Sequence, residues 1–447
     1  MSLHTVGHEI FDSFNNKVPL RGWGHRGGTE SLTGDWWGPG ETTWSRPWNT
    51  DLVDLTADID ATFTAMRTLY KSNVIREFVP LDWWWDDIVN PRERYGYSWM
   101  PNQNFSYRNY WELILQRARL QNMYINFVPY SVLCYPAGEN QGNTIPLQSG
   151  GMNSKQLAFM NTIYPNASDP TFITHMKRWW TTVMDRLSSH PNAIFELWNE
   201  PNGNIRAQWF THTVEMYKLI RSRTDSPLII SWWMNAQPNA GEELKWVPEL
   251  YTQIRNAIGS TPKNLIASFH AYRYTWNLNW AINDAAILAQ IDDADWIPQT
   301  RSTICDIPLV MGEGGPGMNL TGTALTDELN WFRGLLRACN ARDIGFFAYY
   351  WLPRVGWNPE QALLDTPPWP SGQSAPTPSV SGQIFIDNLP DGGDGSAPLT
   401  LRAVNEDTGL DIAVPVTLDG SVVGNTPGTV QVAEGDHTVS VPPEVDT

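Results

Sequence analysis

Two glutamates end apolar runs at distant points of the sequence. Glu200 closes the run "AIFELWNE" beside Asn199, and Glu313 closes "IPLVMGE" before further glycines. A carboxylate at the tip of a buried strand costs free energy unless something there uses it. The glutamates lie 113 residues apart, 313 minus 200, so only the fold can bring them together.

Two carboxyl groups that face one cavity suit the cleavage of a glycosidic bond. One group protonates the leaving oxygen while the other attacks the anomeric carbon. Either glutamate alone is a weak signal, because acidic residues at strand ends often cap helices. Together they predict Glu200 and Glu313 as the catalytic residues, provided that both strands end at the same edge.

Eight apolar runs predict the strands that would position this pair. They alternate with segments of helical spacing such as "THMKRWWTTVMDRLSSH". The runs cover residues 18–24, 73–79, 123–130, 193–200, 228–233, 265–272, 307–313 and 344–351. This alternation predicts an α/β fold, a (β/α)8 barrel, whose active site lies at the carboxyl ends of the strands. An open doubly wound sheet is the alternative, but no GxGxxG turn follows the first strand.

The composition changes after the barrel. Residues 363–382 are rich in Pro, Ser and Gly, and short Val/Thr/Ile runs separated by "LDG" and "AEGD" follow them. We therefore predict a catalytic barrel over 1–365, a linker over 366–382 and a small all-β, sandwich-like module over 383–447. The stretch "VTLDGSVVGNTPGTVQVAEGDHTVSV" resembles the PEGA-type module of exported proteins, and a generic β-sandwich is the alternative.

Charge and aromatic content restrict the partner. The net charge of -17 opposes binding to nucleic acid, because neutralising phosphates needs a basic face. The 24 Trp residues exceed what a core needs, and aromatic rings on loops suit the flat faces of sugars. Core packing must account for most of them but leaves the loop clusters unexplained.

The sequence shows no motif that indicates a bound cofactor, a metal site or a membrane span. The cysteines Cys134, Cys305 and Cys339 form no framework or metal motif, and no two of the 8 His have metal-binding spacing near the candidate strand ends. We predict no cofactor and no metal. No apolar run approaches the roughly 20 residues that span a bilayer, and the N-terminus lacks a signal-peptide pattern. We expect a secreted or cell-surface protein whose export signal has been removed.

Motifs in order along the chain resemble those of glycoside hydrolase family 5, retaining enzymes of a large (β/α)8 clan. The resemblance covers roughly residues 4–365 and begins with "TVGHEIFDSFNNKVPLRGWG", similar to a strand pair that plugs the barrel base. The matching residues are Arg76 in "NVIREFV", Asn199 and Glu200 in "WNEP", His270 and Tyr272 in "SFHAYRY", Glu313 in "MGEGG" and Trp351 in "AYYWL".

The resemblance implies that Glu313 is the nucleophile and Glu200 the acid/base. Arg76 would keep Glu313 ionised, and the Tyr272 hydroxyl would orient it. Each has a plainer alternative. Arg76 could form an ordinary ion pair at the barrel rim, and Tyr272 could be a core phenol.

The other matching residues imply contacts with a sugar. Asn199 would donate a hydrogen bond to the sugar 2-hydroxyl, and this bond strengthens in the transition state. The ring of Trp351 would form the floor of the central sugar subsite. The alternatives are a capping role for Asn199, a satisfied core position for His270 and a partly structural role for Trp351.

One departure from the family concerns the third strand. Many cellulases of this family have a His at its end, whereas "INFVPYSVLCY" offers Asn126 and Tyr130. This difference bears on the substrate more than on the mechanism. Loop tryptophans after the first two strands suit further sugar subsites or a seal over the barrel top: Trp36, Trp37, Trp44, Trp48, Trp83, Trp84 and Trp85.

The sequence therefore predicts a retaining endo-β-glycanase that acts on β-1,4-glucan, with β-linked polysaccharides or oligosaccharides as partners. A β-mannanase would share every catalytic residue. A non-catalytic carbohydrate-binding surface protein is the alternative of another class, and the intact pair of glutamates opposes it. A metal-dependent barrel hydrolase is disfavoured by the lack of clustered His ligands.

Overall fold

The chain divides into two units, over residues 1–389 and 390–447. The computed structural model describes residues 2–25, 52–80, 84, 106–130, 172–201, 206–234, 236–273, 280–317, 320–349, 378–389 and the strands between 396 and 440. Within these residues no helix is long and apolar enough to cross a membrane.

The first unit is a closed barrel of eight parallel strands, which confirms the predicted fold class. Each predicted run contains or overlaps one barrel strand. The strands are β3 (Arg21–His25), β4 (Val74–Pro80), β5 (Tyr124–Tyr130), β6 (Ala193–Glu196), β7 (Leu228–Ser231), β8 (Leu265–Ala271), β9 (Leu309–Gly314) and β10 (Gly345–Tyr349). They pair in chain order, and β10 closes the barrel against β3.

Apolar side chains fill the lower part of the barrel. Each strand region contributes one buried residue to this interior cluster: Leu20, Val74, Tyr124, Ile194, Ile229, Ile266, Val310 and Phe347. The hairpin of β1 (His4–Val6) and β2 (Glu9–Phe11) adds Leu3 and Ile10, as the predicted plug at the base. Because strand side chains alternate, the residues two positions further along also point inward, and several of those are polar.

Helices cover the outside of the barrel. They are α1 (Leu52–Thr68), α2 (Tyr107–Leu120), α3 (Phe172–Leu187), α4 (Arg206–Arg221), α5 (Trp246–Ile258), α6 (Asp284–Ile291), α7 (Ile297–Thr300), α8 (Gly322–Ala341) and α9 (Val380–Asp387). Helix α3 shows why they pack: its buried residues recur at helical spacing, as Met176, Trp179, Trp180, Val183, Met184 and Leu187. Side-chain caps begin α2, α6 and α9, at Ser106, Asn283 and Ser379.

Tryptophan is mainly a core residue in the described part of the chain. Of the 13 Trp residues that the structure describes, 11 are buried. They are Trp23, Trp84, Trp111, Trp179, Trp180, Trp209, Trp232, Trp246, Trp280, Trp296 and Trp331. Packing between strands and helices therefore accounts for these rings.

The barrel unit extends further along the chain than predicted. The ring of Phe385 on α9 lies 4.4 Å from that of Trp23, and Arg337 Nε donates to Asn388 Oδ1 at 2.8 Å. Residues 383–389, which the composition places in the β module, therefore belong to the barrel unit. The predicted boundary is wrong because one short amphipathic helix lies inside a segment of linker-like composition.

The second unit consists of antiparallel strands. They are β11 (Ser396–Leu401), β12 (Ala403–Val404), β13 (Asp411–Ile412), β14 (Pro415–Leu418), β15 (Ser421–Asn425), β16 (Gly428–Ala433) and β17 (Val439–Ser440). β11 pairs with β16, β12 with β13, and β14 lies between β15 and β17. The resemblance to a PEGA-type module stays a prediction.

Candidate active site

A buried ion pair lies inside the barrel, one layer above the apolar cluster. Arg76 on β4 donates from Nε and Nη2 to the two carboxylate oxygens of Glu196 on β6, both at 2.8 Å. Asn126 on β5 and Ser231 on β7 donate to the same carboxylate at 2.8 Å and 3.0 Å. All four residues are at most 3% exposed, so water does not screen the pair.

Arg76 also reaches the upper edge of the barrel. Its Nη1 donates to Glu313 Oε2 at 2.9 Å, and its Nη2 donates to Asn199 Oδ1 at 2.8 Å. Burial acts to lower the pKa of Arg76, but the charges of Glu196 and Glu313 outweigh it, so the pKa is raised and the guanidinium stays charged. Because the Asn199 oxygen is engaged by Arg76, its amide nitrogen is the group left for a ligand.

A β-bulge in β9 directs Glu313 into the site. Phe269 of β8 pairs with Met311, yet the next residue, His270, pairs with Glu313, so Gly312 is the extra residue. The pairing of β9 with β10 shifts at the same place. A bulge of this kind reverses the alternation of side chains beyond it.

The bulge is needed because of the position of Glu313 in the strand. Val310 points into the barrel and Met311 packs outward against the helices. Strict alternation would turn Glu313 outward with Met311, and the extra residue turns it inward.

Glycines around Glu313 keep the backbone close to its neighbours. A Cβ on Gly312 would lie 2.2 Å from Ser268 Oγ and 3.3 Å from His270 Nε2. A Cβ on Gly315 would lie 2.2 Å from the carbonyl oxygen of Tyr349. A side chain at position 315 would therefore force the backbone after Glu313 to move, and one at position 312 would displace either the Ser268 hydroxyl or the bulge.

Tyr272 contacts the second oxygen of Glu313. Its hydroxyl donates to Glu313 Oε1 at 2.5 Å, a short bond typical of a charged acceptor. Burial and the nearby charge of Glu313 raise the pKa of Tyr272 well above its usual range, so the phenol keeps its proton. Each oxygen of Glu313 thus accepts one fixed hydrogen bond.

His270 joins Arg76 to Glu200. Its Nε2 lies 3.5 Å from Arg76 Nη2, and its Nδ1 lies 2.8 Å from Glu200 Oε1. Burial lowers the pKa of His270 to about 4, so the ring is neutral near pH 7. Because Arg76 can only donate, Nε2 accepts and Nδ1 carries the proton toward Glu200.

Glu200 and Glu313 stand close enough to act on one bond. One oxygen of each and a ring nitrogen of His270 all lie within 4.8 Å of one another. These three residues could hold a metal ion by distance alone. However, Arg76 already places its positive charge 2.9 Å from Glu313 and 3.5 Å from the imidazole, which opposes a second cation.

The structure brings together most of the predicted residues that it describes. Arg76, Asn199, Glu200, His270, Tyr272 and Glu313 form one connected network. Other predicted positions lie outside the described residues: Trp36, Trp37, Trp44, Trp48, Trp83, Trp85 and Trp351. Tyr130 is described only as the end of β5.

The prediction that Trp84 is a sugar platform is wrong. Its ring is fully buried, its Nε1 donates to Thr182 Oγ1 at 2.8 Å, and it packs edge-on against Phe127 at 5.4 Å. The alternative, that this residue seals the barrel, fits these contacts. The prediction failed because the "WWW" run gives no sign of which ring turns inward.

Sequence reasoning missed Glu196 and its donor Ser231. Glu196 lies within the run that was interpreted as purely apolar, four residues before Glu200. The signal was present: an inward-facing charge in a buried strand requires a partner, and Arg76 was the available cation. The sequence singled out Asn126 only as one of two polar residues, with Tyr130, on a strand that lacks the His of many cellulases.

Glu328 of α8 is a second buried carboxylate that was missed. Its Oε2 accepts from the backbone nitrogen of Gly317 at 2.7 Å, and Arg273 Nη1 lies 3.4 Å from its Oε1. Gly317 lies three residues after the end of β9, and Arg273 follows Tyr272. Glu328 therefore connects the segments after β8 and β9.

Part of the chain matches a known protein family. Residues 146–354 match the cellulase family, glycosyl hydrolase family 5. No curated protein matches the chain significantly.

Solved structures share the fold. The catalytic domain of endoglucanase Cel5A from Thermobifida fusca is 15% identical, with a TM-score of 0.51 over 86% of this chain and 96% of that chain. A β-mannanase from Streptomyces thermolilacinus, solved with mannohexaose, is 17% identical, with a TM-score of 0.50 over 87% of this chain and 94% of that chain. Residues 146–354 are thus similar to glycosyl hydrolase family 5, and this part of the chain includes both Glu200 and Glu313.

Proposed function

We propose that the chain is a retaining endo-β-glycanase that hydrolyses β-1,4-glucan. The observation that carries the proposal is the pairing of Glu200 and Glu313, whose nearest oxygens lie within 4.8 Å. Retaining glycosidases hold their carboxyl groups about 5–5.5 Å apart, whereas inverting enzymes need about 6.5–9.5 Å to admit a water. The short separation supports a double displacement.

In the first step Glu313 attacks the anomeric carbon and the bond to the leaving oxygen breaks. Glu200 gives its proton to that oxygen, so the products are a glycosyl ester of Glu313, the shortened chain and an ionised Glu200. Arg76 and Tyr272 both donate to the carboxylate of Glu313 and fix its position. His270 engages Oε1 of Glu200, so the transferable proton belongs on Oε2.

In the second step a water replaces the leaving group. Glu200 now takes a proton from this water, and the water oxygen attacks the anomeric carbon and releases Glu313. Neutral His270 suits both steps, because it adds no charge as Glu200 loses and regains its proton. Since one glutamate must be protonated and the other ionised, the pH profile of activity should be bell-shaped.

The choice of glucan over mannan rests on the resemblance to cellulases. β-1,4-Mannan is the second candidate substrate, because the third barrel strand lacks the His that many cellulases of this family have at its end and offers Asn126 and Tyr130 instead. Similar folds occur in an endoglucanase and in a mannanase solved with mannohexaose, so the fold does not favour either sugar. A polymeric substrate would be met outside the cell, and we propose a secreted or cell-surface location.

Reducing-sugar release from soluble β-glucan, mannan, xylan and laminarin tests the proposal. We expect the highest kcat/KM on β-1,4-glucan. The control is Glu313→Gln, which keeps the shape of the side chain but removes the nucleophile. A preference for mannan would favour the second candidate, and equal inactivity of both proteins on every polymer would support the non-catalytic alternative.

A further inference from the structure

Glu196 lies below the catalytic residues and cannot contact a substrate. Its side chain is fully buried, and each carboxylate oxygen accepts two hydrogen bonds. Oε2 accepts from Arg76 Nε and Asn126 Nδ2, and Oε1 accepts from Arg76 Nη2 and Ser231 Oγ. The carboxylate is thus fixed by three different strands.

Arg76 receives its orientation from this carboxylate. A guanidinium is planar, so two parallel bonds to Glu196 fix the directions of its remaining N–H groups. Those groups are the ones that reach Glu313 and Asn199, at 2.9 Å and 2.8 Å. The position of the nucleophile therefore depends on a residue that lies one layer below it.

The charges in this network lead to the same conclusion. Arg76 lies between two carboxylates, so its positive charge is divided between Glu196 and Glu313. A buried arginine whose charge acted on Glu313 alone would stabilise the ionised nucleophile more strongly and make it a weaker attacking group. Glu196 limits that effect.

We propose that Glu196 is a positioning residue, which sets through Arg76 both the geometry and the charge balance of Glu313. The proposal rests on the proposed function for its kinetic test. It goes beyond the pair of glutamates because it assigns a role to a carboxylate that never meets the sugar.

Glu196→Gln is the most direct variant, because it keeps the size of the side chain and removes the charge. In either orientation the amide NH2 would face one N–H of Arg76, so one of the two parallel bonds is lost. We expect kcat to fall at least tenfold with KM within about twofold, since a small misplacement of a reacting group is costly. The acid limb of the pH profile should move to lower pH, because Arg76 then acts on Glu313 alone.

Asn192→Ala provides a matched control. Asn192 directly precedes β6, is fully buried and donates to the carbonyl oxygens of Leu115 and Met123, away from the site. The Asn192→Ala substitution should lower Tm while leaving kcat per folded molecule and the acid limb of the pH profile unchanged. If Glu196→Gln behaves as Asn192→Ala does, with an unmoved pH profile, Glu196 is only structural and the proposal fails.

A second variant keeps the proposal testable when the first does not fold. If Glu196→Gln does not fold, Ser231→Ala removes one donor to Glu196, and we expect kcat to fall about threefold at constant KM, as for loss of a single hydrogen bond. An unchanged kcat would overturn the proposal.

The crystal structure of Glu196→Gln needs no substrate. We expect Arg76 to shift toward Glu313 and to lose its bond to Asn199, and an unmoved Arg76 would contradict the proposal. If the wild-type protein is inactive on all polymers, the proposed function is refuted. The position of Arg76 in the Glu196→Gln crystal structure still tests the role of Glu196 in that case.

Discussion

At the scale of single residues, the site depends on two donors to one carboxylate. Arg76 supplies a charge and Tyr272 supplies a neutral hydroxyl, one to each oxygen of Glu313. Both donors favour the ionised form of the glutamate, and both fix its direction. The two contributions can be separated, because only one of the donors is charged.

Replacement of Tyr272 by Phe should change the pH profile in the direction opposite to Glu196→Gln. Without the hydroxyl, Glu313 loses a donor that favours its ionised form, so the acid limb should move to higher pH. We expect kcat to fall about tenfold to a hundredfold, in line with the loss of one short bond to a charged group. The measurement is kcat/KM between about pH 4 and 8. An acid limb at the wild-type position would show that the Tyr272 bond does not control Glu313.

The residues of the site differ in how well the sequence revealed them. Glu200 and Glu313 were predicted because each closes an apolar run. Glu196 was missed because it lies within such a run, where pattern reasoning treats every residue as core. Only the inward direction of position 196, two residues after Ile194, identifies it, and that requires the strand register.

At the scale of elements, the bulge in β9 decides where the side chain of Glu313 points. The sequence predicted a strand over 307–313, and the structure has β9 over Leu309–Gly314. The extra residue within it was not predicted, because a bulge depends on the pairing of both neighbours. Its trace in the sequence is the glycine at position 312, where a Cβ would meet Ser268.

Gly312→Ala should therefore damage activity through a specific clash. Its Cβ would lie 2.2 Å from Ser268 Oγ, so either the hydroxyl or the bulge must move. We expect a loss of about 1–3 kcal/mol in the free energy of unfolding, as for overpacking, together with a fall in kcat of more than about tenfold. The readouts are urea unfolding and kcat.

A second substitution tests the cause. Ser268 Oγ is buried without a partner among the described residues, so Ser268→Ala alone should cost little. In the Gly312→Ala background it should restore much of the lost stability and activity. Additive effects of the two substitutions would rule out this clash.

At the scale of the whole molecule, the barrel was predictable and its end was not. Eight apolar runs determine the strands, and their alternation with helices determines parallel pairing. The boundary failed at α9, because eight helical residues follow a long Pro- and Ser-rich stretch. Phe385 reveals the contact only in three dimensions, where it packs against Trp23 and Phe346.

Two truncations test the corrected boundary. A chain that ends at Leu389 should fold and keep full activity on soluble substrate, because all residues of the described site lie within the first unit. A chain that ends at Ser381 loses Phe385 and should lose at least about 3–5 kcal/mol of stability, the cost of removing one buried Phe. The measurement is thermal unfolding with activity. Equal Tm values for the two chains would contradict the boundary at Leu389.

Buried histidines should make the whole molecule less stable in mild acid. Burial lowers the pKa of His212 and of His270 to about 4, and it also lowers that of His190. Below pH 6.5, the ordinary pKa of a histidine side chain, these histidines bind protons in the unfolded chain but stay neutral in the folded chain. The contribution of these histidines to the free energy of unfolding should therefore be fully present above pH 6.5. It should decrease as the pH drops toward 4, by about 3 kcal/mol for His270 alone.

Urea unfolding at pH about 7 and about 5 measures this loss. His212→Gln, which keeps a polar side chain that never becomes charged, should reduce the difference between the two pH values. A free energy of unfolding that is constant or rises toward pH 5 would show that these histidines are not held neutral in the folded state.

The central claim is that Glu313 attacks the sugar and Glu200 assists, with retention of configuration. A mixture of activated 2-deoxy-2-fluoro glucosyl and mannosyl donors tests it whichever sugar the enzyme prefers, because the fluorine slows release of the covalent intermediate. Peptide mass spectrometry of the trapped enzyme should find one adduct, on the peptide that contains Glu313, and none in Glu313→Gln. An adduct on another residue, or turnover of these donors to the inverted anomer, would contradict the account.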